Sequence, residues 1–190
     1  MATRNVAVIV GSLRKGSYNR MMAHALAALA PPSLKLEIVV IGALPLYNQD
    51  DEATAPAAWT TFRERVKAAD AVLFVTPEYN RSVPAALKNA IDVGSRPYGA
   101  SAWDGKPAAI VSVSPGAIGG FGANHHLRQS LVFLNMPVLQ QPEAYVGGAA
   151  NLFDADGKIA NPGTAEFLKK FMQAFAALIE RHASVSHAAS

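Results

Sequence analysis

The segment Gly11-Ser12-Leu13-Arg14-Lys15-Gly16-Ser17-Tyr18-Asn19 gathers hydroxyls, a side-chain amide and a guanidinium directly behind the apolar β-branched run Val6 to Val10. Those residue types suit an anion. The N–H groups at the start of a helix are unpaired and attract a phosphate. Ser12, Ser17 and Asn19 can donate to it, each charge-assisted bond contributing about 1.5–3 kcal/mol. The spacing contains neither the Gly-Lys-Ser/Thr of a triphosphate loop nor the Gly-x-Gly-x-x-Gly of a dinucleotide turn. A single phosphate fits it better. The alternative is that Ser17 or Asn19 only caps the helix, the commonest role of such residues.

A second loop, Pro77-Glu78-Tyr79-Asn80, follows another apolar run, Ala71 to Val75. Pro77 ends that strand, and the backbone N–H groups beyond it are free to meet the edge of a flat heterocycle, with the Tyr79 ring beside it. A tight turn carrying an exposed tyrosine is the plainer reading. The third loop, Ser114 to Gly122, is rich in glycine and lets backbone approach a ligand without side chains in the way.

Other polar residues carry less. His125 and His126 are adjacent rather than spaced along one helix face, the remaining histidines fall on unrelated segments, and no metal site follows. Asp50-Asp51-Glu52 reads as a solvated loop. Lys88, Asn89 and Asp92 are expected to organise an interface, and Met21, Met22, Trp103, Phe121 and Phe133 to serve a core or an interface. No side-chain acid or base is required, so no catalytic residue is named.

The elements that must position these loops alternate. Val6–Val10, Leu34–Ile41, Ala71–Val75, Ala108–Val113 and the short Val138-Leu139 read as strands. Helical spacing covers Tyr18–Ala30, Trp59–Ala69, Val83–Val93, His125–Phe133 and Ala165–Arg181. The series predicts an α/β doubly wound parallel sheet with helices on both faces. In such a sheet the loops leaving the carboxyl ends of the strands form the ligand crevice, chiefly where the connections change side.

Composition sets the outer limits. A chain of 190 residues suits one domain, expected over 1–182, with 183–190 as a frayed tail. Hydrophobic residues at 51% and charged ones at 16% exclude disorder and suit strands buried on both faces. A net charge of +3 spread over scattered Lys and Arg is too mild for a nucleic-acid footprint. The absence of cysteine excludes disulfides, thiolate metal sites and cysteine nucleophiles, so any redox chemistry must come from a cofactor. No run reaches membrane-spanning length, the N-terminal apolar stretch is too short for a secretory signal, and a cytoplasmic protein is expected.

Taken together, the Gly11–Asn19 loop, Pro77–Asn80, Ser82-Val83-Pro84-Ala85-Ala86-Leu87-Lys88-Asn89-Ala90-Ile91-Asp92 and Ser114–Gly120 resemble the NAD(P)H-dependent FMN reductases. This is the flavodoxin-like group that includes bacterial quinone, chromate and azo-dye reductases. The resemblance runs from about Val6 to Arg181 and implies a five-stranded sheet in the order 2-1-3-4-5. It implies FMN as cofactor, with Ser12, Arg14, Gly16, Ser17, Tyr18 and Asn19 around the phosphate. Pro77, Glu78, Tyr79 and Asn80 would line the isoalloxazine, chiefly through backbone, and Ser114 and Gly116 its other edge. The implied reaction is ping-pong: NADPH or NADH reduces the flavin and leaves, and a small-molecule acceptor then takes two electrons. A homodimer or homotetramer is implied, with apolar helix faces and Phe121 at the contact. Pro115 and Phe121-Gly122 fall where such proteins vary, which bears on the acceptor pocket. A flavodoxin-like electron carrier or a flavin sensor is the rival reading, and carriers that dock on basic partners are acidic, unlike this chain.

Overall fold

The structure is a computed structural model that describes residues 3–188. Five strands, β1 (Arg4–Val10), β2 (Leu34–Val39), β3 (Ala71–Thr76), β4 (Ala108–Val113) and β5 (Ala144–Val146), form one sheet in the order β2-β1-β3-β4-β5. Every pairing is parallel, with Val8 opposite both Ile38 and Leu73, and Phe74 opposite Ile110. The helices are α1 (Tyr18–Leu29), α2 (Ala57–Ala68), α3 (Ala85–Gly94), α4 (Phe121–Phe133) and α5 (Pro162–Ala188).

Alternate strand residues feed two cores. On one face Val6, Val8, Val10, Leu73 and Val75 pack with Met22, Leu26, Phe171 and Phe175 of α1 and α5. On the other, Ala7, Ile9, Val72 and Phe74 pack with Trp59, Phe62, Leu87, Leu127 and Trp103. Every residue of β3 and β4 is buried, which explains why those strands read as unbroken apolar runs. Each fully buried large side chain contributes about 1.5–3 kcal/mol.

Four differences from the sequence reading have physical causes. The fifth strand is Ala144–Val146, paired with Val111–Val113, and not Val138-Leu139. Val138 forms only an isolated parallel bridge to Ala108, and Leu139 N donates to Ala108 O at 2.8 Å, before polar Gln140-Gln141 and Pro142 carry the chain away. The α4 helix begins four residues before His125 because Gly120, at φ 76°, turns the chain straight into it. The long loop after β2 contains a 3-10 turn at Gln49–Thr54, capped when the Asn48 side chain accepts from Asp50 N. Finally, α5 continues to Ala188 through most of the segment expected as a tail, whose last two residues lie outside the described ones.

Candidate active site

The carboxyl ends of β1 and β3 are neighbours in the sheet, while their connections run to helices on opposite faces. A cavity of about 780 Å3 opens at that switch point. Gly11, Ser12, Leu13 and Arg14 form one wall, Tyr79, Asn80 and Ser82 to Ala86 another, and Lys88, His126 and Ser130 close a side. The sequence-predicted Ser12, Arg14, Tyr79 and Asn80 therefore meet in one cavity. Gly16, Ser17, Tyr18, Asn19, Pro77, Glu78, Ser114 and Gly116 stand in the flanking segments without lining it.

The first loop holds its polar groups at different depths. Ser12, Ser17 and Asn19 are all buried, whereas Arg14 and Gly16 are exposed and Tyr18 half-buried. Ser17 Oγ accepts from Arg20 N at 3.2 Å, capping α1, and its own hydroxyl hydrogen is left to donate. Capping and phosphate binding, alternatives in the sequence, are compatible on this one hydroxyl. Asn19 Nδ2 donates to Val113 O at 3.4 Å, yet its buried Oδ1 has no hydrogen-bond partner. A buried acceptor without a donor is costly, and a ligand hydroxyl removes that cost. FMN carries both a phosphate and a hydroxylated ribityl chain, so these donors and this acceptor fit it.

The second loop is a hairpin turn. Tyr79 N donates to Ser82 O at 3.1 Å and Ser82 N to Tyr79 O at 2.9 Å, with Asn80 at φ 50° and Arg81 at φ 63°. Two left-handed central residues make this a type I′ turn. Asparagine tolerates that region, while arginine pays about 1–2 kcal/mol for it. The turn leaves the Tyr79 ring half exposed beside the cavity.

Glu78 does something its sequence position did not disclose. Its Oε2 accepts from Ala123 N at 2.9 Å and its Oε1 from Arg81 Nη1 at 3.3 Å. The first N–H groups of a helix lack partners, Gly120 has no side chain to offer them, and a carboxylate there is favoured by the helix dipole. Glu78 thus binds the loop after β3 to the start of α4. Gly122 permits the approach, because a Cβ there would stand 2.8 Å from Glu78 Oε2 and 3.0 Å from Arg81 O.

The third loop joins the end of β5. Gly119, at φ 64°, lies so close to that strand that a Cβ would meet the Tyr145 carbonyl carbon at 2.6 Å. Ser114 Oγ accepts from Gly116 N at 3.2 Å, and Ser114 N donates to Val146 O at 3.0 Å. Behind it, fully buried Asn124 reaches Ser112 Oγ at 3.3 Å and Ala144 O at 3.4 Å and accepts from Arg128 Nε at 3.1 Å. Phe121, His125 and Tyr145 cluster beyond this loop, with His125 Nε2 2.8 Å from the Tyr145 hydroxyl. Burial, with the neighbouring Glu143 carboxylate, pushes that hydroxyl up to about 12.

Lys88, Asn89 and Asp92, expected at an interface, have intramolecular tasks. Asn89 Oδ1 accepts from Tyr47 N at 2.9 Å and its Nδ2 donates to Leu44 O at 3.2 Å and Pro45 O at 3.0 Å, fastening the loop after β2 onto α3. Lys88 Nζ lies 2.7 Å from both Asp92 carboxylate oxygens. Of the aromatic and methionine residues read as core or interface, Met22 and Trp103 are buried, whereas Phe121 and Phe133 are exposed. His126, set aside for lack of a metal pattern, lines the cavity with Nδ1 2.7 Å from Ser82 Oγ. Its spacing to Ser130, four residues on and so on the same helix face, was the available signal. Among the described residues no cluster suits a metal ion.

Comparison with known proteins agrees with this geometry. The chain is 66% identical over 182 residues to a quinone reductase of Pseudomonas putida, covering 95% of this chain and 97% of that protein. It is 46% identical to a 2-hydroxy-1,4-benzoquinone reductase of a Burkholderia species, covering 92% and 95%. Among solved structures, the flavoenzyme NAD(P)H:(acceptor) oxidoreductase FerB of Paracoccus denitrificans superposes with a TM-score of 0.90 at 44% identity, covering 95% of this chain and 99% of that one. The sequence profile of the NADPH-dependent FMN reductases matches residues 4–151, the stretch that carries all three loops, and the chain belongs to that family.

Proposed function

We propose that the protein is an NAD(P)H-dependent FMN oxidoreductase that reduces quinones, with free flavin, chromate and azo compounds as further candidate acceptors, by a ping-pong cycle. The observation that carries this reading is the cavity at the β1–β3 switch point, walled by a hydroxyl-rich loop on one side and a rigid turn bearing an aromatic ring on the other. The quinone reductase names of its relatives supply the acceptor class.

FMN, when bound, supplies the hydride-accepting and electron-donating chemistry, and the protein supplies binding and electrostatics. Ser12, Arg14, Gly16, Ser17, Tyr18 and Asn19 would hold the phosphate and ribityl chain. Pro77, Glu78, Tyr79 and Asn80 would border the ring, with Ser114 and Gly116 at its other edge. The turn at 79–82 and the Glu78 bond to α4 keep these backbone groups in place before any ligand arrives, which lowers the ordering cost of binding. The half-exposed Tyr79 leaves room for a flat donor and then a flat acceptor to use the same space in turn.

The proposal includes a homodimer or homotetramer. Val132 and Phe133, 75% and 84% exposed at the end of α4, supply apolar area that a second copy would cover. No described helix is long and apolar enough to cross a membrane, and a cytoplasmic location, where nicotinamide nucleotides circulate, goes with the activity.

The test is a visible spectrum of the protein supplied with FMN, followed by anaerobic titration with NADPH and then NADH. The expected result is bleaching of bound flavin near one equivalent and recovery on adding a quinone. Bound flavin that neither nucleotide bleaches would favour a carrier or sensor. No bound flavin would overturn the site.

A further inference from the structure

Two hydrogen bonds tie the turn after β3 to α4. Glu78 Oε2 accepts from Ala123 N at 2.9 Å, and three residues further along the same helix face His126 Nδ1 lies 2.7 Å from Ser82 Oγ. The turn that carries the Tyr79 ring therefore also fixes the His126 imidazole. Tyr79, Ser82 and His126 all line the cavity proposed for the flavin. Among the described residues His126 Nε2 takes no hydrogen bond, and the side chain is exposed, open to exchange of protons with water.

Quinone reduction makes a demand that flavin reduction does not. A quinone that takes up one hydride becomes a hydroquinone monoanion, and one further proton on its second oxygen completes the product. The hydride comes through the bound FMN, so the proton must come from a group at the edge of the acceptor. Arg14 lines the cavity, but a guanidinium does not release a proton in proteins. The Lys88 ammonium is already engaged, 2.7 Å from both carboxylate oxygens of Asp92. Imidazole is the side chain most often used for such a transfer, and among the described residues His126 is the cavity's one histidine.

We propose that His126 is the general acid of quinone reduction. Its Nδ1–H donates to Ser82 Oγ, so Nε2 is the nitrogen that gives up a proton. The Nε2–H bond breaks as an O–H bond forms on the hydroquinone oxyanion, and the imidazole regains a proton from water. No electrons pass through the ring. Ser82 is a positioning residue, holding the imidazole by its far nitrogen. This role rests on the reductase reading above and adds to it the side chain that completes the acceptor half of the cycle.

The test uses the FMN-loaded protein, reduced anaerobically with just enough dithionite and mixed by stopped flow with 1,4-naphthoquinone or with ferricyanide, which takes electrons without protons. In His126→Ala, reoxidation by the quinone should slow about a hundredfold or more relative to reoxidation by ferricyanide, and added imidazole should restore part of it. Ser82→Ala should move the same ratio by less. Independently of turnover, long-range proton–nitrogen NMR of the FMN-loaded wild type should find the neutral His126 ring protonated on Nδ1, and Ser82→Ala should populate both tautomers. A ratio unchanged in His126→Ala, or a neutral ring protonated on Nε2 in the wild type, overturns the role of His126 while the reductase reading stands. Wild-type flavin that the quinone does not reoxidise overturns both.

Discussion

Replacing Glu78 tests whether two of the site's loops are held together by one carboxylate. The Glu78 side chain is 13% exposed and accepts from Ala123 N at 2.9 Å in the first turn of α4. A hydrogen bond to a charged group contributes about 1.5–3 kcal/mol. The Arg81 partner is 75% exposed, so that pair adds well under about 1 kcal/mol. Glu78→Ala should therefore destabilise the FMN-free protein by about 2–3 kcal/mol, lowering Tm by roughly 4–12 °C in a chain of this size. Glu78→Gln keeps an acceptor but not the charge, and should lose about 1 kcal/mol. Urea unfolding followed by far-ultraviolet circular dichroism gives these values, and quenching of flavin fluorescence gives FMN affinity. Affinity should fall in the same order, because Glu78 lies between Pro77 and Tyr79, the residues proposed to border the ring. An alanine variant within about 0.5 kcal/mol of wild type, the range of an inconsequential surface change, would refute the reasoning.

Three further outcomes are expected. Ser17→Ala combined with Asn19→Ala should release FMN while costing only about 1–2 kcal/mol of stability for the lost cap and amide, and full FMN occupancy on gel filtration would remove the phosphate-site assignment. Arg81→Gly should be at least as stable as wild type in urea, whereas Arg81→Val should lose about 1 kcal/mol or more, because a β-branched residue tolerates φ 63° worst; equal stabilities would contradict the left-handed turn. Tyr145 holds its proton to about pH 12 against an ordinary value near 10, so its contribution to stability is fully present below about pH 10 and lost as pH rises to about 12. An ultraviolet titration should show the highest-pH phenolate step disappear in Tyr145→Phe, and an unchanged titration curve would contradict the assignment.

The framework was legible because burial on both faces leaves a plain trace. Val6–Val10 and Ala71–Val75 are apolar throughout, as strands beneath two helical layers must be, and the loops behind them bring Ser12 and Tyr79 to one cavity. The fifth strand was not legible. Ala144-Tyr145-Val146 is too short to show a period, and its place depends on the buried Asn124 and on Gly119 pressing against Tyr145, contacts between distant segments. The tasks of Glu78 and Asn89 were hidden for a related reason. A carboxylate after Pro77 reads as turn chemistry, and an asparagine inside α3 as a poor helix former, until α4 and the Pro45 loop are brought against them.

The all-parallel order has a consequence for how the protein acquires its cofactor. Each parallel pair can form only after an intervening crossover has closed, so the contacts of this sheet are long in sequence and slow to assemble. The cavity draws on the ends of β1 and β3 and on α4, and it does not exist until residues from Gly11 to Ser130 have come together. A newly made chain must therefore fold before it can load flavin. FMN then acts by mass action on the finished fold, stabilising it further as free flavin rises above its dissociation constant.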